Sequence, residues 1–172
     1  MNKEDAWMTT FTGKKFYPFD PYISDICIED IAHHLALECR YGGACKYHYS
    51  VAQHCVLGAR ITRTELRIPF LLHDGAETYL KDMLHNLKRY MPEYLMAEKS
   101  LQDLIYLRFK VPAFDHIVVK RLDYAMMRAE VNVLMNSKED WYFPEAPAPV
   151  TIEPWTWQEA EELFLDAYNV FS

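Results

Sequence analysis

Apolar residues recur at spacings of three and four along most of this chain, and three of the resulting stripes are each broken by a histidine or an aspartate. Ile28, Ile31, Leu35 and Cys39 mark an amphipathic helix that stops at Gly42-Gly43. Ser50-Val-Ala-Gln53 has the form of a capping box and starts a second helix, with His54 in its first turn or just beyond. A third helix is predicted from Thr64 to about Ala76, with Pro69 near its start. Pro92 suits the first position of another, striped by Leu95, Leu101, Leu104 and Ile105. Asp115 caps the next, in which Val118, Leu122, Ala125, Met126, Ala129 and Val133 keep the period through about Leu134. Thr156-Trp-Gln-Glu159 repeats the capping-box pattern ahead of a last helix over 156–171. The expectation is an all-α fold, a single compact helical domain over residues 1–172. Its lead-in, 1–25, reads as extended or hairpin-like, and 137–155, with Pro144, Pro147, Pro149 and Pro154, reads as an extended crossing.

The broken stripes carry the chemistry. His54 interrupts VAQHCVL, His73-Asp74 ends the apolar run IPFLL, and Asp123 interrupts VVKRLDYAMM. Polar groups on a buried helical face require partners. If these three segments pack together, two imidazoles and two carboxylates converge, a donor set that suits Mn, Co, Fe or Zn better than an all-oxygen Mg or Ca cage. Read alone, His73-Asp74 also fits ordinary capping or ion-pair contacts at a helix end. Glu77, Asp82 and Lys88 follow closely. A carboxylate there suits proton transfer beside a metal-bound water, and a lysine suits a phosphate oxygen.

Charge bounds the partners. Lys and Arg number 18 against 25 acidic residues, a formal charge of -7, which argues against a surface built to grip a nucleic-acid duplex. Cys27, Cys39, Cys45 and Cys55 form no CxxC pair, and no apolar run is long enough to span a membrane, so a soluble, cytoplasmic protein with reduced thiols is expected.

The order His54, His73-Asp74, Asp123 resembles the HD-domain metal-dependent phosphohydrolases. The likeness extends through IEDIAHHL, CRYGG, YSVAQHCVL, LLHDGAETYLKD, VKRLDYAMMRAE and IEPW to a nucleotide-acting subgroup, the 5'-deoxyribonucleotidases and phage dATP phosphohydrolases. The resemblance implies an HD-domain helical bundle that hydrolyses phosphate from deoxynucleotides. It implies one divalent ion held by His54, His73, Asp74 and Asp123, with Glu77 as catalytic acid and Asp82 supporting the water network. It also implies that Lys88 contacts phosphate and that Arg40 and Tyr41 lie over the nucleotide. The chain departs from the pattern at Tyr41, where relatives often carry Trp or Phe. A homo-oligomer and a deoxynucleotide substrate are implied, with no nucleic-acid polymer or membrane as partner. Two other readings are a cyclic-nucleotide phosphodiesterase, which needs further His ligands for a second metal, and a non-catalytic nucleotide-binding HD-like module. His33, His34, His48, His85, His116, Trp155 and Trp157 are read as packing or surface residues.

Overall fold

Local capping signals start four helices of the computed structural model, which describes residues 6–136 and 141–172. The expectations for residues 1–5 of the lead-in and 137–140 of the crossing lie outside the described residues. Two short strands, β1 (Met8–Thr9) and β2 (Lys15–Phe16), pair antiparallel as a hairpin with Met8 opposite Phe16. Eight α-helices follow among the described residues: α1 (Ile28–Leu37), α2 (Val51–Ile61), α3 (Arg67–Leu71), α4 (Glu77–Leu80), α5 (His85–Lys88), α6 (Pro92–Arg108), α7 (His116–Leu134) and α8 (Trp157–Phe171). The fold is all-α apart from that hairpin. Ser50 caps α2 by accepting from the Gln53 amide, Asp115 caps α7 through the Ile117 amide, and Pro92 opens α6. Thr156 and Glu159 complete a reciprocal capping box on α8. At Ser50 only half of the expected box forms, because the Gln53 side chain donates instead to the Glu153 carbonyl at 2.7 Å.

α1, α2, α3 and α8 pack on one another, α7 lies against α2, and α4 lies against α1. Val51, Ala52, Cys55, Val56 and Ala59 are the buried face of α2, and Phe164 of α8 is fully buried. Residues 141–155 form neither helix nor strand. No helix among the described residues is long and apolar enough to cross a membrane.

One expected helix is broken. The sequence reading ran it from Thr64 to about Ala76, whereas the structure has a 3-10 turn at Thr64–Leu66, the short α3, and then tight turns up to α4. His73 N donates to Phe70 O, Gly75 N to Leu72 O and Glu77 N to Asp74 O, each across three residues. Side chains compete for the carbonyls that a continuing helix needs. His73 Nδ1 takes Phe70 O at 2.6 Å, and Gln102 Nε2, arriving from α6, takes Leu72 O at 2.7 Å. The break turns His73 and Asp74 toward α2.

Gly58 sets how close that turn comes. A Cβ on Gly58 would lie 2.0 Å from Phe70 Cε1, so only glycine lets the Phe70 ring rest on α2. Phe70 in turn packs on His73 (ring centroids 4.4 Å) and His54 (5.6 Å). His54 and Gly58 are four apart in α2 and share a face.

Candidate metal centre

His54 from α2, His73 from the turn after α3 and Asp123 from α7 bring donor atoms to one point, and Asp74, next to His73 in that turn, borders it. His54 Nε2 lies 3.4 Å from His73 Nε2, 3.4 Å from an Asp123 oxygen and 3.9 Å from an Asp74 oxygen. His73 Nε2 lies 3.2 Å from Asp74 and 3.9 Å from Asp123. Donor atoms sharing one cation through bonds of about 2.0–2.2 Å sit at such separations. His54, His73 and Asp123 are therefore able to hold a metal ion, with Asp74 beside them.

The ring protons support this. His54 Nδ1 is 2.6 Å from Glu130 Oε1, and His73 Nδ1 is 2.6 Å from the Phe70 carbonyl. Both partners only accept, so each Nδ1 donates and each Nε2 faces the other. Two facing Nε2 atoms need a cation between them, either a proton or a metal ion. Burial and Arg40 oppose charge on His54, but Glu130 and Asp123 outweigh them and push its pKa up to about 9. Carboxylates that favour a proton on His54 so strongly also favour a divalent cation at the same point. Burial likewise opposes the Asp123 and Asp74 charges, yet the two histidines, with Lys120 beside Asp123 and Arg40 beside Asp74, hold both carboxyls below their ordinary range. Cys55 Sγ is 3.9 Å from His73 Nδ1 in a second grouping with Asp74. Burial and Asp74 raise its thiol well above the usual value, which keeps it a poor ligand.

Glu130 received no role from the sequence, although it lies within the VKRLDYAMMRAE segment. Fully buried, it accepts from His54, from Tyr49 (3.0 Å), from Tyr41 (2.5 Å) and from Arg40 Nε (3.2 Å). Burial raises its carboxyl pKa, but Arg40, His54 and Tyr41 bring it down to about 2. The available signal was its spacing from Asp123: seven residues are two helical turns, which puts both carboxylates on one face of α7. Lys120 was also missed. Its Nζ lies 2.8 Å from Asp123 one turn earlier on the helix.

Arg40 and Tyr41 stand in a tight turn, Arg40–Gly43, in which Tyr41 (φ 59) and Gly42 (φ 61) adopt left-handed backbone. Arg40 is buried and reaches Asp74 at 3.3 Å as well as Glu130. The Tyr41 hydroxyl points inward to Glu130, and Trp141 meets its ring edge-on. Glu77 is buried with Oε2 lacking a partner among the described residues, while Lys88 stands 3.6 Å from Oε1 and bonds Glu98. Burial, reinforced by Asp74 and Asp82, pushes the Glu77 carboxyl well above its usual range. Asp82 lines a cavity of about 110 Å³ with Arg40, Tyr41 and Lys88. A second cavity, about 700 Å³, is lined by His73, Asp74 and Asp123. Asp74, Glu77, Lys88, Lys120 and Asp123 line both. His33 bonds Glu161 and stacks on Phe11, and His34 accepts from the Phe11 amide, so both serve packing.

No family model matches the chain. Over 125 residues it is 35% identical to YfdR of Escherichia coli, an alignment that covers 73% of this chain and 70% of YfdR. The chain belongs to the YfdR family. A protein of Rhodobacter capsulatus is 34% identical over 126 residues, covering 67% of this chain and 64% of that protein. Both relatives are named as uncharacterized.

Proposed function

We propose that this YfdR-family protein is a divalent-metal-dependent phosphohydrolase of the HD-domain type that removes phosphate from deoxynucleotides, as a 5'-nucleotidase or a dATP/dNTP phosphohydrolase. The observation that carries the reading is the set of four neighbouring donors, with a buried Glu77 whose Oε2 lacks a partner among the described residues, Lys88 and Lys120 at the junction of two cavities, and Arg40 in the smaller one. Mn, Co, Fe or Zn fits two imidazoles and two carboxylates. When bound, such an ion supplies a water of lowered pKa and polarises a phosphoryl oxygen. Lys88 and Lys120 offset charge on the phosphoryl oxygens, and Arg40, which lines the small cavity, holds Asp74 in place. Glu77 holds its proton and delivers it to the leaving ester oxygen as the P–O bond breaks. Asp82, across the small cavity, helps keep Glu77 protonated. A cyclic-nucleotide phosphodiesterase needs a second set of His ligands. His85 and His116 line different cavities, and neither joins a metal-ligating group among the described residues.

The test is release of inorganic phosphate from a panel of deoxynucleoside mono- and triphosphates, ribonucleotides and cyclic nucleotides, with Mn or Co added. Turnover of deoxynucleotides is expected. No release from any member by metal-loaded protein would overturn the reading. Asp74→Ala is expected to lose metal and activity together, whereas Glu77→Gln retains metal and loses about 10²–10⁴-fold in kcat. A Glu77→Gln protein with full turnover would remove the proton-donor role.

A further inference from the structure

The two cavities that meet at the donors differ in what they can admit. The smaller, about 110 Å³ and lined by Arg40, Asp82 and His85, has room for a few waters or a small anion. The larger, about 700 Å³, lies within the range of small-molecule sites. The organic part of a phosphate ester bound at the donors must therefore enter the larger one.

Its lining includes an aromatic and apolar wall of Tyr106 on α6, His116 and Val119 on α7, and Leu95. Phe114 braces this wall from the α6–α7 connection. It meets the Tyr106 ring edge-on (centroids 5.2 Å, 83° between planes) and packs on His116 at 4.3 Å. The polar residues around the wall are already engaged. Gln102 uses Oε1 on the Ala76 amide (3.0 Å) and Nε2 on the Leu72 carbonyl (2.7 Å). Lys99 is bonded to Asp103 at 2.6 Å, and Lys88 to Glu98. Tyr41, the other aromatic candidate, has its hydroxyl fixed on Glu130 and its ring edge against Trp141.

We propose that the Tyr106–His116 wall of the large cavity seats the nucleobase, holding it by stacking and apolar contact rather than by reading its hydrogen-bonding edge. The inference rests on the nucleotide phosphohydrolase reading above. Stacking is tolerant of base identity because every base has a π-face, and it grows with ring area. Purine substrates therefore bind more tightly than pyrimidine ones, and adenine differs little from guanine.

The experiment compares deoxyadenosine monophosphate, deoxycytidine monophosphate and 2-deoxyribose 5-phosphate as substrates of the Mn-loaded protein and of its Tyr106→Ala, Tyr106→Phe, His116→Ala and Tyr41→Phe variants. Tyr106→Ala is expected to raise KM for deoxyadenosine monophosphate about tenfold, with kcat and the base-less sugar phosphate unaffected. His116→Ala shifts KM in the same direction, and Tyr106→Phe retains the original value. An equal effect on nucleotide and base-less substrate, or a base-dependent KM change confined to Tyr41→Phe, overturns the proposal. If none of the three is hydrolysed, calorimetric binding to the Mn-loaded protein decides independently of turnover. Base-dependent weakening in Tyr106→Ala then supports the wall while the hydrolase reading falls, and equal affinity of the original protein for nucleotide and base-less compound overturns it.

Discussion

Asp30 and Glu130 are both fully buried carboxylates, and they are satisfied by different kinds of partner. Asp30, in the first turn of α1, accepts from the Thr12 amide at 2.7 Å, the Thr12 hydroxyl at 3.0 Å and the Cys27 thiol at 3.0 Å. These donors belong to the hairpin and the start of α1, and the network ends there. Glu130 accepts from an imidazole, a guanidinium and two phenols, and two of those groups, His54 and Arg40, reach the metal donors or Asp74 with their other ends. Burial of a carboxylate is thus not itself a sign of function. A buried carboxylate marks a site when its partners carry further ionisable contacts outward, because its position then sets theirs.

The strongest way to break this comparison is Glu130→Gln. It leaves Arg40 and His54 without their buried counter-charge, and a loss of about 3–5 kcal/mol is expected in denaturant unfolding. Metal affinity, measured by titration with Co, is expected to fall about 10–100-fold because His54 loses the group that orients it. Unchanged metal affinity would reduce Glu130 to a structural role like that of Asp30.

Gly58→Ala is next. Alanine gains about 1 kcal/mol in helix propensity but forces the Phe70 ring away from α2, at an overpacking cost of about 1–3 kcal/mol. Because Phe70 supports His73, the melting temperature and metal affinity should fall together. A stabilised variant with intact metal binding would show that the ring relocates freely.

Asp30→Ala has the smallest effect at the metal donors. Loss of about 1–3 kcal/mol is expected from the unmatched Thr12 donors, with metal affinity unchanged. The same region gives a pH signature. Burial opposes the Asp30 charge, but the Cys27 thiol and Thr12 donors hold its carboxyl below the ordinary value of 3.8. Its stabilisation is therefore complete above that value and is lost as pH falls through the lower folded-state one. In acid titrations the Asp30→Ala protein should show a shallower loss of stability, and identical slopes would remove Asp30 from the account.

Short-range signals made most of the helical frame legible. Pro92, Asp115 and the Thr156–Glu159 box act within one turn of themselves, and each opens the helix that was read from it. The four metal-donor candidates were visible for a related reason: a His or Asp on an apolar face stands out without knowledge of its neighbours, and the structure brings all four together. What could not be read depends on distant residues. The break after Leu71 is settled by Gln102, thirty residues beyond the Leu72 carbonyl it takes. The inward turn of Tyr41 is settled by Glu130, 89 residues away. Glu130 itself passed as one more charge on a long helix, since a single glutamate among exposed and buried neighbours gives no sign of which it is.

Tyr41 illustrates how little freedom such an arrangement leaves to mutational drift. Its left-handed backbone (φ 59) suits glycine or asparagine and costs a tyrosine about 1–3 kcal/mol, while its phenol is one of four donors to Glu130. Glycine would relax the chain and lose the donor, and phenylalanine would keep the strained backbone and also lose it. Each neighbouring sequence is worse in one respect, so the position is a local trap in sequence space. Escape from it requires a coordinated change at Glu130 or in the turn itself.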